Sequence, residues 1–410
     1  MAADTPPLNL GEQLLEHFLT TGRTLDPLEA QTMAEQYAQA LGLGHCTVYL
    51  VDIQQNQLVP VPPGAPCLPV EGSLAGWAFR TGSLRMAEDG AAGVVVWFPL
   101  VDGADRLGVL CLRAAAIDGD VVRRCRLLAA LLALVITAKR ATSDSYARTA
   151  RSDTMSLPAE MLRAFLPPRT LCADQVISSA VLEPAYDLGG DAFEHTLTAG
   201  ALHAAVLDAM GHDLASGLTA ALALAACRNA RRNGADLSGL VATIDDALAR
   251  WFPDRFATGV FLRLDIATGL MRWSNCGHPA PLLIRDEVVV TDALVRDAEP
   301  PLGLLDVIPT ERAVHSFQLL PGDRVLMYTD GVIEAKGADH EFFGLDRFAD
   351  FVIRAMAAGE RAPEALRRLI HALLDGQNAT LSDDATIMVI EWRPPGSPPG
   401  HSFPPGLPRP

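Results

Sequence analysis

Four times beyond residue 187, an aspartate position stands where an apolar, strand-like run meets a glycine-rich or polar turn. Asp191 lies in Leu188-Gly189-Gly190-Asp191, and Asp208 ends the run 204–207 and is followed by Ala209-Met210-Gly211-His212. Asp330 ends the run 324–329 and precedes Gly331, while Asp383 and Asp384 immediately precede a final run at 386–391. Singly, Asp before Gly is ordinary turn chemistry. As an ordered set, each member on a strand boundary, the pattern describes sheets that hold carboxylates at a rim while glycines let backbone approach a ligand closely.

Such a set has a chemistry. Hard cations such as Mg2+ or Mn2+ take oxygen ligands in octahedral geometry and keep several waters. Two ions sharing a carboxylate lower the pKa of a shared water, and the hydroxide attacks phosphorus in line while the ions neutralise the phosphoryl group. No covalent protein nucleophile is needed, and none of the seven cysteines has an arginine six residues on. The net charge of -16, from 49 acidic and 33 basic residues, suits divalent cations and repels a polyanion, so nucleic acid is not expected as a partner.

With 410 residues the chain exceeds one ordinary core. Its cysteines are scattered, odd in number and free of CxxC, which fits a reducing compartment and no structural zinc. The start, MAADTPPLNLGEQ, has no signal-peptide pattern, so a cytoplasmic location is expected. The longest apolar run, 127–138, is bounded by Arg126 and Lys139. As a helix it reaches about 18 Å, short of the roughly 30 Å of a membrane span, so a buried or dimer-facing helix is expected instead.

Residues 9–42 carry apolar positions at three-to-four spacing and predict a helix; runs at 46–51, 94–100 and 107–112 predict strands, with a loop and short helix between at 70–79. The segments HCTVYLVD, VEGSLAGWAFRTGSLRMAED and VWFPLVDGADRLGVLCL resemble a GAF sensor domain over about residues 10–140. That resemblance implies either a small-molecule ligand site or a pocketless fold serving dimerisation. A connecting helix is expected at 119–166, ended by Pro167-Pro168. Beyond it, strands are expected at 176–182, 202–207, 258–265, 271–275, 288–290, 324–329 and 386–391, and helices at 215–232, 237–251, 345–357 and 363–374. The Pro/Gly-rich end, 393–410, is expected to be disordered.

The order of segments LGGDAFEH, VLDAMGHDLASGLTAALALA, WSNCGHPAPLLI, PPLGLL, LLPGDRVLMYTDGVIEA and SDDATIMVIE resembles the metal-dependent protein phosphatase (PPM) family in its bacterial SpoIIE-like branch, and MLRAFLPP resembles the stretch that precedes that domain. The resemblance covers about residues 160–392. It implies an α+β chain: a GAF-like domain at 1–118 with helices reaching 140, a connecting helix at 119–166, and a β-sandwich flanked by helices (α-β-β-α) at 167–392. It further implies that Asp191 and Asp208 are the central catalytic ligands of two divalent cations, Mn2+ or Mg2+, with Asp208 bridging. The carbonyl of Ala209, Asp330 and Asp383 complete the site, and Asp384 orients or substitutes.

Two positions depart from the family pattern: Asp213 stands where Gly is usual and Glu194 where Asp is frequent, so an extra carboxylate near the ions is one expectation and a helix cap another. His212 is either a donor behind the ligands or a helix-entry residue. His278 either touches substrate phosphate or a water, or is a turn histidine bonded to backbone. Gly331, Gly322 and Gly303 are read as turn residues, Gly331 also lying beside the site. The implied function is hydrolysis of phosphoserine or phosphothreonine on an anti-sigma-factor antagonist by a GAF-gated homodimer. The alternatives are an inactive binding protein of the same pathway and a phosphatase for small phosphoesters. No ATP-binding boxes of a fused kinase are seen.

Overall fold

The computed structural model describes residues 27–394 apart from 41, 63, 91–92, 141, 298, 305–307, 309–311, 336–341, 377–380 and 382. It divides into two units, Met1–Ser152 and Asp153–Pro410.

In the first unit, α1 (Pro27–Ala40) buries Ala30, Met33, Ala34, Tyr37 and Ala38, the spacing that turns one helical stripe toward a core. The expected helical stretch at 9–26 lies outside the described residues. Six antiparallel strands follow: β1 (Cys46–Val51), β2 (Gln57–Pro60), β3 (Leu68–Pro69), then after α2 (Leu74–Thr81) β4 (Arg85–Glu88), β5 (Val94–Asp102) and β6 (Asp105–Ala114), ordered β3-β2-β1-β6-β5-β4. Strand alternation sorts the faces: Val48 and Leu110 join a cluster with α1 and α3 (Gly119–Arg140), while their neighbours Tyr49 and Val109 join one with Phe79 of α2. Ser73 caps α2 through Gly76 N (2.9 Å), and Gly82, at φ 58°, ends it in the left-handed conformation.

The apolar run 127–138 falls inside α3, where Leu128, Ala129, Leu132, Ala133 and Ile136 are buried against this sheet and Leu127 and Leu134 are exposed. The single connecting helix expected at 119–166 is instead three helices: α3, α4 (Asp144–Thr149) and α5 (Leu157–Phe165). The cause is local. The apolar face of α3 is committed to the first unit, and Ser156 with Pro158 starts a fresh helix, the Ser156 hydroxyl accepting from Ala159 N.

The second unit continues with β7 (Thr170–Ala173), β8 (Val176–Glu183), β9 (Asp191–Leu197), β10 (Ala201–Ala209), α6 (Leu214–Arg232), α7 (Leu237–Trp251), β11 (Ala257–Asp265), β12 (Leu270–Cys276), β13 (Leu282–Arg285), β14 (Val288–Val289), β15 (His315–Gln318), β16 (Arg324–Tyr328), α8 (Asp330–Ile333), α9 (Gly344–Ala357), α10 (Ala362–Gly376) and β17 (Ala385–Trp392). They form a five-stranded sheet, β15-β12-β11-β10-β9, and a six-stranded sheet, β14-β13-β16-β17-β8-β7.

Every position of β8 and β17 is buried, which requires layers on both faces. Along β17, Met388 and Ile390 face the core shared with Phe193 and Val206 of the other sheet. Ile387 and Val389 face Phe348 of α9 and Leu366 and Ile370 of α10. Alanines 220, 223 and 226 of α6, with Ile244 and Leu248 of α7, cover the five-stranded sheet. The layering is thus helix, sheet, sheet, helix. Among the described residues, no helix is long and apolar enough to cross a membrane.

Candidate metal centre

The register of the five-stranded sheet sets Asp191, the first residue of β9, directly opposite Asp208, near the end of β10. On the other side of β10, Asp208 is opposite Thr258 of β11. The six-stranded sheet supplies the remaining acids: Asp330 follows β16 as the first residue of α8, and Asp383 and Asp384 precede β17.

Hydroxyls join the two sheets. Thr329 Oγ1 and Thr386 Oγ1 both donate to Asp191 Oδ2, at 2.6 and 2.7 Å, and Thr329 Oγ1 accepts from Thr386 N at 2.9 Å. Asp384 Oδ2 accepts from Gly189 N at 2.7 Å and Asp191 N at 3.1 Å, so Asp384 clamps the loop that carries Asp191.

Two glycines are present because backbone passes too close for a side chain. A β-carbon at Gly190 would lie 2.1 Å from the carbonyl oxygen of Ala209, and one at Gly331 would lie 1.9 Å from that of Asp384. Gly331 is therefore not a turn residue: it sits in the first turn of α8, and its role is close approach.

The carboxylates feel one another. Burial, with Asp208 and Asp384 nearby, raises Asp191 well above the usual carboxylate range, against the pull of the two threonine hydroxyls. Burial and then the charges of Asp330, Asp383 and Asp384 push Asp208 up to about 7. Burial pushes Asp384 up to about 6, the amides of Asp191 and Gly189 holding it down. Asp383 is exposed. Among the described residues, no three acidic, histidine or cysteine side chains close on one point as a finished ion cage. What the fold supplies is an edge of mutually repelling oxygen donors with glycine-thinned backbone beside it. Such a donor set fits hard divalent cations, whose charge relieves the repulsion.

Other expected residues are placed elsewhere. Asp213 caps α6: Ser216 N donates to its Oδ1 at 2.8 Å, its own N–H reaches Ser216 Oγ at 3.1 Å, and Arg255 Nη2 donates to Oδ2 at 3.2 Å. These bonds hold its carboxyl down at about 2. Glu194 faces α6 and is bonded to Arg228 Nε (3.0 Å) and Arg231 Nη2 (2.9 Å). Both carboxylates have partners of their own, Asp213 the cap of α6 with Arg255 and Glu194 two arginines of α6.

His212 is exposed, and its Cα would lie 2.6 Å from a β-carbon on Gly189. His278 is buried, with Nδ1 2.8 Å from Thr258 Oγ1 and Nε2 3.0 Å from the carbonyl oxygen of Tyr328. Its ring is enclosed between the sheets, which leaves the structural reading. The sequence reading missed Thr258, Thr329, Thr386 and Arg255. Thr329 and Thr386 carry a signal, a hydroxyl within two residues of Asp330 and Asp384 at the boundary of an apolar strand; Thr258 and Arg255 carry none.

Residues 198–393 match the family described as Stage II sporulation protein E (SpoIIE). The chain is 26% identical over 142 residues to the phosphoserine phosphatase RsbP of Bacillus subtilis, covering 33% of this chain and 34% of that protein. It spans 20% and 34% of the length of two curated relatives it matches. Among solved structures, the SiaA-PP2C domain of Pseudomonas aeruginosa aligns at TM-score 0.49 and 22% identity, covering 57% of this chain and 94% of that one. The catalytic domain of the serine/threonine protein phosphatase PstP in complex with two manganese ions aligns at TM-score 0.37 and 18% identity, covering 53% and 99%. Residues 198–393, within the second unit, are thus similar to the SpoIIE family, and the chain is similar over 142 residues to a phosphoserine phosphatase.

Proposed function

We propose that the chain is a metal-dependent protein serine/threonine phosphatase, acting in the cytoplasm on a phosphorylated anti-sigma-factor antagonist. In this reading its first unit is a GAF-type sensor that sets activity within a homodimer. The observation that carries the catalytic part is the cross-strand pairing of Asp191 with Asp208, at the edge where Thr329 and Thr386 of the other sheet grasp Asp191. The pathway and the sensor rest on the sequence resemblance.

Asp191, Asp208, the carbonyl of Ala209, Asp330 and Asp383 would hold two divalent cations, Mn2+ or Mg2+. When bound, such ions supply Lewis acidity toward phosphoryl oxygens and a water acidic enough to attack phosphorus. The chain's own groups keep the ligands in order. Thr329 and Thr386 occupy one oxygen of Asp191 and so fix the direction of the other. Asp384 holds the Gly189–Asp191 backbone against the Ala209 turn.

The test is phosphate release by the full chain from a phosphoserine-bearing antagonist and from free phosphoserine, with Mn2+, Mg2+ or chelator. Metal-dependent release, faster from the phosphoprotein, is expected. Antagonist binding without release would leave the inactive binding protein, and equal rates on both substrates would leave a small-phosphoester phosphatase.

A further inference from the structure

We propose that Arg255 is a positioning residue for the turn 209–213, fixing the Ala209 carbonyl and Asp208 for the ions; this rests on the metal-dependent reading above. The turn joins β10 to α6, and Gly211 within it takes φ 90°. Its outer side is anchored by the loop between α7 and β11. Met210 N donates to the carbonyl of Phe256 at 3.1 Å. Arg255 Nη1 donates to the Met210 carbonyl at 3.2 Å, and Nη2 donates to Asp213 Oδ2 at 3.2 Å. One guanidinium thus spans the turn from its second residue to its last, with the Ser216 hydroxyl 3.1 Å from the same Met210 carbonyl.

The loop that carries Arg255 is itself held. Arg255 N donates to Phe252 O at 3.0 Å, and Ala257, two residues on, is the ladder partner of Ala209. Ala257 also bridges to Leu302, whose neighbour Gly303 donates its N–H to Asp245 Oδ1 at 2.8 Å. Asp245, buried on α7, is paired with Arg312 Nη2 at 2.9 Å. The clasp therefore hangs from a fixed frame, and a planar fork with two separated donors is what it requires. A lysine in its place has one point of attachment.

The experiment titrates Mn2+ alone into the full chain by calorimetry, comparing Arg255→Gln, Arg255→Lys and Asp213→Asn with the parent, and records the melting temperature of each metal-free protein. Arg255→Gln is expected to weaken Mn2+ binding by about tenfold, the low end for groups that orient metal ligands. Arg255→Lys should weaken it less, with the metal-free melting temperature nearly unchanged in both and turnover recovered at saturating Mn2+. Asp213→Asn, which keeps the cap acceptor and loses the charge, should move affinity in the same direction. Unchanged Mn2+ affinity in the arginine variants overturns the inference. So does a raised substrate KM at saturating Mn2+, which would make Arg255 a substrate contact. So does a large fall in metal-free melting temperature in both arginine variants, which would make it a folding residue. If the parent chain binds no Mn2+, the metal-dependent reading fails first and this inference with it.

Discussion

His278 donates from Nε2 to the backbone carbonyl of Tyr328 in the opposite sheet, at 3.0 Å. A carbonyl only accepts, so the ring proton sits on Nε2, and Nδ1 accepts from the Thr258 hydroxyl at 2.8 Å. Thr258 is the cross-strand partner of Asp208, and Tyr328 lies two residues before Asp330. A neutral imidazole thus braces the two sheets beside the acidic edge. His278→Ala removes both bonds and opens a buried void, and is expected to cost about 2–4 kcal/mol in urea unfolding at neutral pH. A loss below about 0.5 kcal/mol, the range of an ordinary surface change, would show that the ring braces nothing.

The same residue makes a pH prediction. Burial lowers its pKa from 6.5 to about 4, so as pH falls the unfolded chain takes up the proton before the native state does. The contribution is fully present above 6.5 and is lost as pH falls toward 4. The stability gap between the parent and His278→Ala should therefore narrow by about 1–2 kcal/mol from pH 7 to pH 5. A constant gap would mean that the native ring takes up its proton as readily as the unfolded chain does, and a widening one that it does so more readily.

Asp208→Asn should abolish phosphatase activity while leaving the metal-free protein folded and no less stable, because one of five crowded acids loses its charge. Circular dichroism, melting temperature and turnover in excess Mn2+ check this. Near-parental turnover would refute the assignment of Asp208.

Divalent cations should stabilise the protein most at alkaline pH. Asp208 and Asp384 are raised to about 7 and about 6, so the metal-free native state holds protons that the unfolded state has released. That contribution is present below the unfolded value of 3.8 and is lost as pH rises through the folded values. The rise in melting temperature on adding Mg2+ or Mn2+ should be larger at about pH 8 than at about pH 5, where the edge is protonated. An equal rise at both would place the ion elsewhere.

Gly331→Ala sets a methyl 1.9 Å from the Asp384 carbonyl oxygen, and backbone on both sides must move. A loss of about 1–3 kcal/mol, the usual cost of overpacking, is expected together with a fall in activity. Gly322→Ala is the contrast: its added carbon meets nothing within 4 Å, and only its φ of 93° is strained. If the two variants lose activity equally, close approach at Gly331 is not what matters.

Long periodic elements were legible in the sequence because burial on one face writes itself at regular spacing. The helix expected at 237–251 appears as Leu237–Trp251, and the strand expected at 46–51 as Cys46–Val51. β9 was not read, because it opens on Asp191 and buries Glu194 and His195, whose partners on α6 and at Pro168 and Ser178 belong to tertiary structure. β13 and β15, of four residues each, are too short for a period. At the candidate site the aspartates were visible as strand-boundary residues. The assignments that depend on pairing were not: Asp384 as a clamp, Asp213 as a cap, Glu194 as an ion-pair partner and His278 as a brace.

The acidic edge has no local precursor in the chain. The Gly189–Asp384 and Thr386–Asp191 bonds each close a loop of 195 residues. During synthesis, everything up to β16 can emerge without any group from β17 being available to orient Asp191. Contacts this distant form only after the entropy of loop closure has been met, so they assemble late. Cation affinity therefore reports completeness: a chain cut short before residue 386 has four of its five acids or fewer in working order, however well its earlier strands fold. An ion seated on this edge would tie Asp191 and Asp208 of the five-stranded sheet to Asp330 and Asp383, which flank strands of the six-stranded one.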